Sequence, residues 1–173
     1  MDSENMRFQE GILLDKMKVH IGIKGASGGV GTSFVARWLD FFLNDRERHH
    51  IFVSRPDRYI VEDDPENCSD MDIVVGVIDP LPSLLMDGAD GIGDLMDKRQ
   101  PVIWMLNRNC IGVNRRELKR YLGFIPEFCQ EDVPREYIVR AEYNGENLPD
   151  VYKLGGIEEL AEYIKAINNM NYE

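Results

Sequence analysis

Lys18-Val19-His20-Ile21-Gly22-Ile23, Lys24-Gly25-Ala26-Ser27-Gly28-Gly29-Val30-Gly31-Thr32-Ser33 and then Phe34-Val35-Ala36-Arg37-Trp38-Leu39 form the stretch on which the fold turns. Val19, Ile21 and Ile23 alternate as a strand does. Val35, Trp38, Leu39 and Phe42 recur at i, i+3, i+4 and i+7, the spacing of one helix face. Between them lie glycines at 25, 28, 29 and 31. A strand, a tight glycine turn and a helix in that order place a nest of backbone N–H groups at a helix N-terminus. Such a nest holds phosphate or another anion without any particular side chain.

The same alternation of elements continues outward. Ile51-Phe52-Val53 reads as a second strand. Residues 54–72 are polar and acidic (Glu62, Asp63, Asp64, Glu66) and read as a long solvated loop, with Tyr59-Ile60-Val61 as a short strand inside it. Ile73 to Ile78 is near-continuously apolar, as strands buried on both faces are, and it ends at Asp79-Pro80-Leu81-Pro82-Ser83. Leu84 to Lys98 gives helical pieces broken by Gly88, Gly91 and Gly93. Pro101 to Leu106 is a further strand, ending in Asn107-Arg108-Asn109. Asn114 is the expected N-cap of a helix whose buried side is Leu118, Tyr121 and Leu122 and which stops at Gly123. Phe124-Ile125-Pro126 is the expected last strand. Residues 127–156 carry Pro134, Gly145, Pro149, Gly155 and Gly156 and read as loop, and Glu158 to Asn168 as a terminal helix. The implied fold is a three-layer α/β domain with a mostly parallel sheet. Ligands of such sheets sit at the carboxyl ends of the strands. That edge collects Gly25–Ser33, the Ser54–Asp57 turn, Asp79–Ser83 and Asn107–Asn109. Residues 1–17 read as a leader segment and 18–173 as the single domain.

Composition narrows the function classes. The chain has 173 residues, enough for one core without disulfide or metal. Its 31 acidic against 20 basic residues give a net charge of −11, which opposes non-specific binding to DNA and anionic membranes. The three cysteines (Cys68, Cys110, Cys129) form no CxxC, so neither a disulfide framework nor a structural zinc site is expected. No signal-peptide layout and no apolar run near 20 residues is present, so a cytoplasmic location is expected. Arg115, Arg116, Lys119 and Arg120, with Arg108 ahead of them, make a basic helix face, the feature a nucleic-acid-associated protein would use. His20 reads as structural, and His49-His50 as an unsuitable metal pair, since neighbours in a strand point opposite ways.

A regular phosphate loop reads GxxxxGK[ST]. Aligned on Gly31, this chain has Ala26 at the first glycine, Thr32 at the lysine, and Ser33 at the hydroxyl that ligands Mg²⁺. Ser27-Gly28-Gly29-Val30-Gly31-Thr32-Ser33 resembles the deviant Walker A loop of the ParA/MinD family, KGGxGK[ST]. The signature lysine falls on Ser27 and the second lysine on Thr32. The CpaE/TadZ pilus-assembly and localisation branch also departs from that pattern, and the string from Gly25 to Ser33 resembles it most. Val77-Ile78-Asp79-Pro80 resembles a post-strand loop of the family, Trp104-Met105-Leu106-Asn107-Arg108 its strand ending in Asn-Arg near the nucleotide base, and Gly123-Phe124-Ile125-Pro126 its later Gly-x-Ile-Pro strand. The resemblance spans residues 18–167 of a chain shortened relative to the family.

What the resemblance implies is a P-loop NTPase-like domain. ATP or ADP would lie on Ser27, Gly28, Gly29, Val30, Gly31, Thr32, Ser33 and Asn107, with Mg²⁺ on Ser33 and Asp79. Two placements of Asp79 compete. In one it is the Walker B aspartate. In the other, Ile73–Pro80 matches the following strand, as Ser83-Leu84-Leu85 suggests, and residues 54–70 replace the Walker B region with no metal aspartate left. Asp57 is the one residue offered for positioning water, and Lys24 is expected to point away from the loop. Loss of both lysines removes charge that stabilises phosphoryl transfer. The implied role is localisation or assembly through protein contacts, with a homodimer, protein partners, and little or no hydrolysis. A weak Mg-dependent ATPase and a nucleic-acid-associated partitioning protein are the alternatives.

Overall fold

A computed structural model describes residues 18–44, 58–97, 100–109 and 113–170. Five strands are described: β1 (Val19–Gly25), β2 (Tyr59–Asp63), β3 (Ile73–Ile78), β4 (Val102–Asn109) and β5 (Phe128–Glu131). They form one sheet in the order β2-β1-β3-β4-β5, every pair parallel. The described helices are α1 (Thr32–Leu43), α2 (Pro82–Asp87), α3 (Ala89–Met96), α4 (Arg115–Leu122), α5 (Arg135–Asn144), α6 (Leu148–Val151) and α7 (Gly155–Met170).

Alternation along the strands builds the two apolar layers. Ile21, Ile23, Val75, Val77 and Met105 face α1 and α7, where Val35, Trp38, Leu39, Leu160 and Ile164 meet them. Val74, Ile78, Trp104 and Leu106 face the other way, toward Leu85, Ile92, Leu95 and Leu118 of α2, α3 and α4. The strands are apolar on both sides because helices cover both faces. Gly76 is where the second layer has no room. A Cβ there would lie 2.5 Å from Trp104 Cε3 and Cζ3, so the indole lies across a bare backbone. The expected three-layer, mostly parallel α/β architecture is the observed one.

Some expectations fail, for identifiable reasons. The last strand is not Phe124–Pro126 but Phe128–Glu131, paired with β4 through Met105↔Phe128 and Leu106↔Cys129. Pro126 has no N–H for a ladder, and Phe124 instead packs on Trp104 at 5.0 Å between ring centroids. Residues 127–156 are not loop, since α5 and α6 lie there. Pro134 caps the start of α5, Gly145 ends it with φ 65°, and Pro149 sits in the first turn of α6. These residues mark helix boundaries rather than the absence of helices. Gly88 does divide α2 from α3, but Gly91 and Gly93 lie inside α3. Tyr121 is 65% exposed while Leu118 is buried, so the inner side of α4 is Leu118 with Leu122 half-buried. Asn114 caps α4 as expected, accepting from Arg116 N at 2.9 Å, and Gly123 ends it in the left-handed region. The strand expected at Ile51–Val53, the Ser54–Asp57 turn, His49-His50 and the 1–17 leader lie outside the described residues.

Candidate functional site

The glycine loop joins β1 to α1 across the top of the sheet. Gly29 and Gly31 have φ of 78° and 88°, which glycine alone adopts without strain. Gly31 is the N-cap of α1, with no side-chain cap bond and no acidic residue in the first turn. The backbone bond Val35 N to Gly31 O, 3.1 Å, closes the first turn. The N–H groups ahead of it have no acceptor within the helix. No acidic residue of the helix's own first turn offsets the positive end of α1, which leaves its backbone N–H groups able to hold an anion. Cβ atoms built on Gly28 and Gly29 meet nothing within 4 Å, so the rim of the loop is open.

The loop leans on β3 at its start and reaches β2 at its end. Ala26 N donates to Val77 O at 3.0 Å, and Ser27 Oγ donates to Leu84 O at 3.2 Å. Ser33 Oγ, at the far end, donates to Asp63 Oδ2 at 2.5 Å. Asp63 is the last residue of β2, which pairs directly with β1 through Ile23↔Asp63. The expected acidic loop is thus in part a strand whose carboxylate is delivered to the phosphate loop. Sequence reasoning missed Asp63. Its signal was an acid immediately after the apolar run Tyr59-Ile60-Val61, on the strand already suspected there.

Asp79 goes elsewhere. It is 1% exposed. Its Oδ1 accepts from Leu81 N at 2.9 Å, and its Oδ2 lies 2.9 Å from Arg108 Nε in an ion pair without a hydrogen bond. Ser33 and Asp79, expected together on one metal, have different partners here. Asn107, also buried, donates from Nδ2 to Val30 O at 3.0 Å, and a Cβ on Gly31 would collide with that amide nitrogen. Asn107 thus fastens the loop from below. Arg108 donates from Nη2 to Gly29 O. Val30 is buried, Thr32 is half-buried, and Ser27 is half-buried against α2. Lys24 does turn from the loop, to Asp64 Oδ1 at 2.6 Å and Pro65 O at 3.3 Å. His20 is half-exposed, its Nδ1 3.5 Å from Glu62 Oε1.

A cavity of about 560 Å³ opens beside this cluster, walled by Asp79, Pro82, Arg108, Asn114 and Asp132. The donor set fits a phosphorylated ligand: open backbone N–H groups for the phosphates, and a hydroxyl–carboxylate pair, Ser33 with Asp63, of the hard-oxygen type Mg²⁺ prefers. Arg116, Lys119 and Arg120 are exposed on α4 with Glu117 among them. Among the described residues no group of three or more His, Cys, Asp or Glu gathers as a metal cluster, and no helix is long and apolar enough to cross a membrane.

The sequence matches no protein-family model and no curated protein. Solved structures do match. A ParA family ATPase from Chlorobium tepidum superposes with a TM-score of 0.60 at 12% identity, covering 83% of this chain and 97% of that one. The MinD cell division protein of Aquifex aeolicus gives 0.63 at 16%, covering 86% and 97%. The MinC:MinD cell division protein complex of Aquifex aeolicus gives 0.58 at 16%, covering 86% and 96%. The chain therefore shares the fold of these ParA and MinD structures.

Proposed function

We propose that this chain is a ParA/MinD-like nucleotide-binding protein that turns nucleotide over slowly or not at all and acts in localisation or assembly through protein contacts. The observation that carries the reading is the uncapped N-terminus of α1 with Ser33 Oγ on Asp63 Oδ2 beside it. Backbone N–H groups from Ser27 to Ser33 would hold the phosphates of ATP or ADP, and Ser33 with Asp63 would hold Mg²⁺. The metal would neutralise phosphate charge when bound. The chain itself orients the phosphates and, through Asn107, keeps the loop in shape. Thr32 and Ser27 supply no cation where the ParA/MinD loop has lysine, which is the reason turnover is slow.

The resemblance of Gly25–Ser33 to the CpaE/TadZ loop supports a place in that localisation branch. The MinC:MinD structure is of a complex with a second protein, and protein partners and a nucleotide-linked homodimer are proposed here on that pattern. The reading places the protein in the cytoplasm. A weak Mg-dependent ATPase is the second reading, favoured by the same Ser33–Asp63 pair.

Calorimetric titration with ATP and ADP, with and without Mg²⁺, tests the proposal. A Kd below roughly 100 μM, about −5.5 kcal/mol, tightened by Mg²⁺ and with turnover below about one per minute, is the expected result. No heat together with no thermal shift at millimolar ATP sinks the nucleotide reading. Turnover above about one per second replaces it with the ATPase reading.

A further inference from the structure

The loop lacks both lysines, yet a cation lies on it. Arg108 belongs to the irregular end of β4, where the register with β5 shifts between Leu106↔Cys129 and Asn109↔Glu131. Its φ is 54°, a left-handed conformation that an arginine adopts only when its surroundings impose it. A bulge of this kind re-aims a side chain. Here it sends the guanidinium back over the glycine loop rather than out along the sheet edge. Nη2 donates to Gly29 O and would stand 3.6 Å from a Cβ placed on Gly31. Nε faces Asp79 Oδ2 at 2.9 Å.

Asp79 is 1% exposed and the Arg108 side chain 41%. The carboxylate is therefore the buried anchor, and the guanidinium is the end that reaches solvent at the mouth of the loop. Asp79 Oδ2 has no hydrogen-bond partner of its own, so a buried charge depends on this arginine staying in place. The guanidinium offers five N–H donors in a planar fork. Engaging Nε and Nη2 leaves donors free for a phosphoryl oxygen, and the bond to Gly29 O can be exchanged for one to an anion.

We propose that Arg108 is the phosphate-binding cation of this loop, replacing the lysines absent at Ser27 and Thr32, with Asp79 as its positioning residue. This rests on the phosphate-loop reading above and names the side chain that neutralises the ligand. The bound group is an anion of the diphosphate class, whether free or attached to a nucleoside.

Titrations of inorganic pyrophosphate and of ADP into the wild-type chain, Arg108→Lys, Arg108→Gln and Arg108→Ala, each with its melting curve, decide the matter. Arg116→Ala, on exposed α4, controls for general loss of charge. The expected result is at least tenfold weaker binding of both probes to Arg108→Gln and Arg108→Ala and partial recovery in Arg108→Lys. Arg116→Ala stays within twofold, and the difference shrinks as salt is raised. Arg108→Gln keeps a long polar side chain, so it remains informative if the alanine variant does not fold. Equal or tighter binding of both probes to Arg108→Gln overturns the role of Arg108 and leaves the nucleotide reading standing. Arg108-dependent binding of pyrophosphate, with no binding of ADP, keeps Arg108 and overturns the nucleotide reading. Binding of neither probe to the wild type overturns both.

Discussion

Replacing each loop glycine in turn by alanine separates backbone strain from steric collision. Gly28 lies outside the left-handed region, and a Cβ there meets nothing within 4 Å. Gly28→Ala is expected to change stability by less than about 0.5 kcal/mol. Gly29 has φ 78° and the same open surroundings, so alanine costs only the left-handed conformation, about 1–2 kcal/mol. Gly31 has φ 88°, and its Cβ runs into Asn107 Nδ2. Alanine there adds loss of the buried Asn107–Val30 hydrogen bond, about 0.5–1.5 kcal/mol, giving roughly 1.5–3.5 kcal/mol in all. For a chain of this length each kcal/mol moves Tm by about 2–4 °C. The series should therefore show almost no shift, then roughly 2–8 °C, then roughly 3–14 °C, in thermal unfolding followed by circular dichroism. Gly31→Ala melting with Gly28→Ala would refute the loop conformation on which the phosphate reading stands. A domain of ordinary stability survives the largest of these losses. Nucleotide binding lost in a still-folded Gly31→Ala would then report on the loop itself.

Three further outcomes follow from the same geometry. Thr32→Lys restores the missing charge of the loop and should tighten ATP about tenfold or more, as a charge-assisted bond worth about 1.5–3 kcal/mol implies; calorimetry showing no gain argues that residue 32 does not face the phosphates. Asp63→Asn should abolish the Mg²⁺-dependent part of ADP binding while leaving metal-free binding within about threefold, and an unchanged Mg²⁺ response would remove Asp63 from the metal. Gly76→Ala drives a methyl into the Trp104 ring and should lower stability by about 1–3 kcal/mol in urea unfolding, with a blunted tryptophan emission change if the ring has already moved; full stability would show that the indole does not lie on β3.

Where one periodicity dominated, the fold was legible. The alternation Val19, Ile21, Ile23, the helical spacing Val35, Trp38, Leu39, and the apolar run Ile73–Ile78 each produced the element they predict. What escaped was set by position in space. Prolines 134 and 149 and Gly145 read as loop residues because a single sequence does not say whether they interrupt helices or bound them. Glu62, Asp63 and Asp64 read as solvated because the partner that makes Asp63 informative, Ser33, is 30 residues away. Arg108 reads both with the basic residues of the following helix and, through the Asn-Arg resemblance, as near a nucleotide base, but not as a partner of the glycine loop. Its turn back over Gly29 depends on a positive φ in a bulge, and no propensity encodes that for arginine.

The competing placements of Asp79 come down to which side of β1 each carboxylate occupies. With the order β2-β1-β3, the loop can meet an acid from either neighbouring strand. Its path divides them. The start is pinned to the β3 side, by Ala26 N on Val77 O and Ser27 Oγ on Leu84 O, with α3 packed so closely on Ala26 that Gly91 tolerates no side chain. The chain then crosses β1, and α1 begins on the β2 side, which puts Ser33 on Asp63. Asp79 stays behind at the junction of β3 and β4, buried, and takes the arginine that the β4 bulge delivers. The two acids are therefore not interchangeable. A chain that loses Asp63 is not expected to recruit Asp79, because Asp79 is held at the β3–β4 junction by Leu81 N and Arg108, away from the Ser33 end of the loop.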